Sequence, residues 1–142
     1  VPYPAMLTFD APAAEQSCVR RQRSNTPLQA LTTLNEPTFI QAARWLAWRT
    51  VNAVESDADR AAWAFRRCAS RLPTEREVAV LLKLLADARA DFATRPKEAA
   101  QFAFADPKSP PPLPPGTSTA ELAAWSTVSR ALLNLDETIT KE

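Results

Sequence analysis

The chain has 142 residues, 17 basic and 16 acidic side chains, a net charge of +1 and 46% apolar content, a profile that fits one globular domain with a real core. The charge balance excludes a dedicated nucleic-acid binder, which carries a clear basic excess, and no run approaches the roughly 18 apolar residues of a membrane span. Histidine is absent and Gly116 is the single glycine, which removes the commonest general base and metal ligand together with any Gly-rich phosphate loop.

Residues 1–25 read as an extended arm, because Pro2, Pro4 and Pro12 oppose helix. Tyr3, Leu7 and Phe9 are placed to pin this arm onto a helical body that spans 26–142. The chain opens on Val1 rather than Met, so we expect a piece of a longer polypeptide whose targeting signals are not visible in this stretch.

At Thr26 the signals turn helical. Thr26 reads as an N-cap, Pro27 as the first helical residue and Gln29 as the closing member of a capping box. Leu28, Ala30, Leu31 and Leu34 give this short helix a broad apolar side. Asn35 is suited to the left-handed conformation that ends a helix, and Pro37 starts the next.

The second helix is expected from about Glu36 to Val54, with Phe39, Ile40, Ala43, Leu46, Ala47, Val51 and Val54 on one face. A third, roughly Asp57 to Ser70, presents Ala61, Ala64, Phe65 and Cys68. Pro73 breaks the chain, and Thr74 with Glu77 forms a second capping box. The fourth helix, about Glu75 to Ala93, carries the stripe Val78, Leu81, Leu82, Leu85, Ala88 and Phe92, widened by Val80 and Leu84. Pro96 begins a short helix ending near Ala105. Residues 106–118 hold six prolines and Gly116, the composition of a stiff surface loop. Ser118 with Glu121 reads as a third capping box, opening a last helix to about Leu135 with Leu122, Trp125, Val128, Ser129 and Leu132 inward. No stretch alternates cleanly as a strand would. The pattern predicts an all-α single domain of five to six helices with an extended N-terminal arm and a proline-rich loop.

The densest charge cluster is Arg20, Arg21 and Arg23. It reads as a set of salt-bridge partners for acidic residues such as Asp136 and Glu137, or as an anion site at the helix start that follows. A helix-turn-helix reading fails on chemistry, because the second helix opens on the mostly apolar EPTFIQAA. Nothing among the carboxylates points to a glycosidase pair. Cys18 and Cys68 belong to no CxxC pair, so zinc binding and c-type haem attachment are excluded within this chain. The two thiols are either separately buried or bonded across 50 residues. Trp45 and Trp48 fall with Gln41 and Asn52, opposite the Phe39–Leu46 stripe. A helix apolar on both sides is central in a bundle or covered by another partner. Burial against a partner surface is the expectation for this pair.

FDAP, SCVRRQRSNTPLQALTTLNEPTFIQAAR, the SRLPTERE break and LLNLDETITKE together resemble the C-terminal domain of unknown function of planctomycete proteins that carry cytochrome c-type modules. The resemblance covers essentially the whole chain, least clearly in the proline loop. It implies an exported or cell-envelope parent with haem c bound at a CxxCH segment elsewhere, and no cofactor here. Arg20, Arg21, Arg23, Asn25, Thr26, Pro27, Gln29, Asn35 and Pro37 match the family block and read as fold-defining or interface-forming. The family supplies no catalytic residues to carry over.

Three functions follow as expectations. The first is a non-catalytic helical module docking onto the remainder of its parent polypeptide, a c-type cytochrome module being one such partner, with no nucleic acid and no membrane span. The second is an accessory part of a polysaccharide-directed enzyme whose active site lies outside this stretch. The third is anion or ligand binding by the arginine cluster.

Overall fold

Prolines and capping side chains divide the chain into helices, and the computed structural model describes residues 7–11 and 26–139 of it. Among the described residues lie seven helices and no strand. They are α1 (Pro27–Asn35), α2 (Pro37–Ala53), α3 (Asp57–Ala69), α4 (Glu75–Thr94), α5 (Pro96–Ala103), α6 (Thr119–Leu133) and α7 (Asp136–Ile139). The all-α reading holds, and α7 is a short addition to the six longer helices.

The helix starts follow the capping chemistry in the sequence. Thr26 with Gln29, and Thr74 with Glu77, form reciprocal capping boxes. Ser118 caps α6 on one side only: its hydroxyl accepts from the Glu121 N–H at 3.1 Å, while the Glu121 carboxylate is turned to other partners. Here the predicted third box is half formed. The break after α1 also differs from expectation. Asn35 stays helical and Glu36 turns extended at φ −73°, ψ 132°, because the residue before a proline is barred from continuing the helix. The left-handed cap occurs instead at Ser70, with φ 63°, where the chain leaves α3.

The core is organised around α6, which packs against α2, α4 and α5 and also touches α1, α3 and α7. Leu122, Trp125, Val128, Ser129 and Leu132 are buried as expected, and Ala123, Ala124 and Ser126 join them. A helix covered on nearly all sides is the central element of a bundle. Opposite α6, the face of α2 buries Ala43, Ala47, Thr50 and Val51; small residues on both helices let the two backbones approach closely. The predicted inner stripe of α3 is fully buried: Ala61, Ala64, Phe65 and Cys68. Of the stripe expected on α4, Leu81, Leu85, Ala88 and Phe92 are buried and Val78 and Leu82 half-buried, while Val80 is 61% exposed.

Helix α1 is oriented against its own hydrophobic pattern. Leu28 and Leu31 are exposed, whereas Gln29 and Thr33 are buried. The Gln29 amide explains the orientation: its Oε1 accepts the Thr26 N–H at 3.1 Å and its Nε2 donates to the Thr8 carbonyl at 3.0 Å. Thr33 donates its hydroxyl to Asn134 Oδ1 at 2.5 Å, fixing α1 to the end of α6. A buried polar group is retained where its hydrogen bonds are made, and these are. In the described part of the arm, Leu7 and Thr8 carry a helical turn, Asp10 has φ 51°, and Phe9 packs on Phe39 with ring centroids 5.8 Å apart. Tyr3 lies outside the described residues.

The proline loop is tied down at both ends. Asp106 Oδ1 accepts the Lys108 N–H at 2.9 Å, and Thr117 N–H reaches the Pro114 carbonyl at 3.0 Å. That last turn needs Gly116, whose φ of +72° is costly for any residue with a Cβ.

Candidate functional site

Helix α2 places its two tryptophans on solvent rather than in the core. Trp45 is 58% exposed and Trp48 is 36% exposed. Their rings stand edge to face with centroids 6.0 Å apart and planes 72° from parallel, a favourable aromatic arrangement. Gln41, Arg49 and Asn52 are exposed on the same helix, and Asn52 turns its amide back to the Trp48 carbonyl at 2.7 Å. Both indoles are left partly exposed among the described residues. The core claims the opposite face of α2, where alanines admit α6.

Arg20, Arg21, Arg23 and Cys18 lie outside the described residues, so the arginine clasp and the Cys18–Cys68 bond do too. Glu137, one of the acceptors expected for those arginines, is engaged by Arg71 at 2.6 and 2.8 Å. Arg71 also takes Glu77 with two hydrogen bonds and lies over the Phe65 ring at 4.7 Å. Hydrogen bonding to Arg71, then the bonds from Thr74, lower the Glu77 carboxyl to about 2. A second node joins three helices: Arg89 of α4 bridges Asp57 of α3 and Glu121 of α6, with contacts of 2.5 to 2.9 Å. The Arg89 hydrogen bond holds the Asp57 carboxyl below its ordinary value against the opposing effect of burial. Both nodes are ion-pair braces in which one guanidinium joins two carboxylates from different parts of the fold. Among the described residues, no group of three or more Asp, Glu or Cys side chains could hold a metal ion.

The arginines that sequence reasoning passed over do something different. The last carbonyls of a helix have no partner within it, and three helices here receive a guanidinium from another part of the fold. Arg60 donates to the Val51 and Val54 carbonyls at the end of α2, at 3.0 and 2.8 Å. Arg44 donates to Gln101 and Phe102 on α5, at 2.7 and 3.0 Å. Arg130 donates to Leu34 on α1 at 2.5 Å and lies 5.4 Å from the Phe102 ring centroid. Arg44 and Arg130 line one cavity of about 210 Å³ with Ile40, Gln101, Phe102 and Ser126. Burial, and then the positive charge of Arg130, lower the Arg44 guanidinium from its ordinary value. The available sequence signal was Arg130 itself, an arginine set between residues of an otherwise buried helix in TVSRALL.

Comparison with known proteins adds the family and nothing about chemistry. No curated protein and no solved structure matches the chain. The family profile described as PSD1, protein of unknown function (DUF1553), matches residues 1–85, which runs from the arm through α1, α2 and α3 into the middle of α4 and leaves out the central helix α6. That match spans more than half of the 142 residues, and the chain belongs to the PSD1 (DUF1553) family of proteins of unknown function.

Proposed function

We propose that this chain is a non-catalytic helical module that docks through the Trp45–Trp48 face of α2 onto the remainder of its parent polypeptide. The observation that supports the reading is the exposed edge-to-face indole pair, large and apolar, on a helix whose other face already fills the core. Tryptophan is a frequent interface anchor because it combines large apolar area with one N–H donor. The sequence resemblance supplies the setting: an exported or envelope protein with a c-type cytochrome module, in which haem c is bound outside this stretch and the module positions its neighbours.

The test pairs the isolated chain with the parent polypeptide lacking it. Trp45→Ala with Trp48→Ala should keep the helical circular dichroism and the melting temperature of the isolated chain. Its association with the parent should weaken by about 2–3 kcal/mol per buried indole. Wild-type affinity in the double variant would remove the docking face, and a double variant that fails to fold would make the pair part of the core.

A further inference from the structure

We propose that Arg44 and Arg130 form a binding site for a single carboxylate, carried by a small apolar acid or by a chain terminus. Both side chains line the same cavity of about 210 Å³. Neither meets a carboxylate within ion-pair distance among the described residues. Each already spends donors on helix-end carbonyls: Arg44 its Nε and Nη2 on Phe102 and Gln101, Arg130 its Nη2 on Leu34. Arg130 Nε–H is buried with no protein acceptor, and the Nη1 group of each arginine is left without a carbonyl among these bonds. A guanidinium withdrawn from water with no carboxylate partner is poorly compensated, and a carboxylate at the two Nη1 groups would offset that with charge-assisted bonds.

The surroundings select the kind of anion. Ile40 and Phe102 supply apolar walls, suited to a short hydrocarbon body. Arg130 also borders a second cavity lined by Asp87, Asp91, Arg95 and Glu98, where Arg95 is shared between Asp91 and Glu98. The net negative charge of that lining opposes a doubly charged phosphate more than a singly charged acid. One negative charge between Arg44 and Arg130 also relieves their mutual repulsion. The proposal requires no reaction.

The experiment follows the arginine Nε–H signals of the 142-residue chain by nitrogen-15 NMR at constant ionic strength. Propionate, N-acetyl-Ala-Ala and inorganic phosphate are added separately. The expected result is a saturable shift of the Arg130 and Arg44 signals with propionate or the peptide, at a Kd near 1 mM. Arg44→Gln should weaken it by about tenfold, the loss of one charge-assisted bond, whereas Arg49→Gln, an exposed arginine on the same helix, should leave it unchanged. Tighter capture of the peptide assigns the carboxylate to a chain terminus; equal or tighter capture of propionate assigns it to a free acid. Shifts that grow without saturation, phosphate binding more tightly than either acid, or equal affinity in Arg44→Gln each overturn the proposal. Arg130→Gln also removes the cap on α1, so where it unfolds the chain, the wild-type Arg130 signal decides.

Discussion

Trp125 donates its indole N–H to Glu121 Oε1 at 2.9 Å, one turn earlier on the central helix. The same carboxylate accepts two bonds from Arg89, so a fully buried indole is tied to an ion-pair node at the rim of the bundle. This is the physical reason that Glu121 does not reach back to complete the cap at Ser118. Trp125→Ala should destabilise the chain by about 3–5 kcal/mol, as for other large buried aromatics. Urea unfolding measures this, and a cost below about 1 kcal/mol would show that α6 is not the hub of the core.

The reversed orientation of α1 gives an opposed pair of expectations. Gln29→Leu strands the Thr26 N–H and the Thr8 carbonyl and should cost about 1–3 kcal/mol. Leu31→Ala, at an exposed position, should change stability by no more than about 0.5 kcal/mol. Denaturant midpoints of the two variants, compared side by side, check the orientation. The opposite order of costs would mean that α1 buries its leucines.

Close packing of α2 on α6 predicts intolerance to added volume. Ala47 is 0% exposed, and Ala47→Leu should destabilise by about 1–3 kcal/mol through overpacking. Ala42→Leu, on the exposed side of the same helix, serves as the comparison and should be nearly neutral by thermal melting.

Acid sensitivity follows from the carboxylates held by arginine. Glu77 is lowered from 4.5 to about 2 and Asp57 is lowered from 3.8. A carboxyl with a depressed folded-state value contributes stability that is fully present above its unfolded value and disappears as pH falls through the folded one. Stability should therefore decline between pH 4.5 and about 2. Glu77→Gln and Arg71→Gln should each flatten that decline. Unfolding free energies measured across this window with the same slope in all three proteins would refute the assignment.

Ser70 holds φ 63° at the end of α3, a conformation that costs an L-residue roughly 1–2 kcal/mol and glycine little. Ser70→Gly should raise the unfolding free energy by several tenths of a kcal/mol to about 1, the gain being limited by the greater freedom of glycine in the unfolded chain. A fall in melting temperature would contradict the left-handed cap.

The sequence by itself determined where the helices begin and which faces of α3 and α4 are buried. Those features rest on local chemistry: a hydroxyl three residues before its N–H partner, a proline without a donor, apolar residues recurring each turn. Thr26, Thr74, Phe65 and Leu85 were legible for that reason. Only the tertiary structure decided which helix sits at the centre, because α2 and α6 both carry apolar residues around much of their circumference and a wheel cannot say what covers them. It turned Gln29 inward and Leu31 outward, since the Thr8 and Asn134 partners lie 21 and 101 residues from their α1 donors. It also brought Arg44 and Arg130 to one cavity across 86 residues of chain. No local pattern encodes that meeting, for it depends on α2 and α5 both packing on α6, which brings the last carbonyls of α5 within reach of Arg44, and on α1 ending against α6.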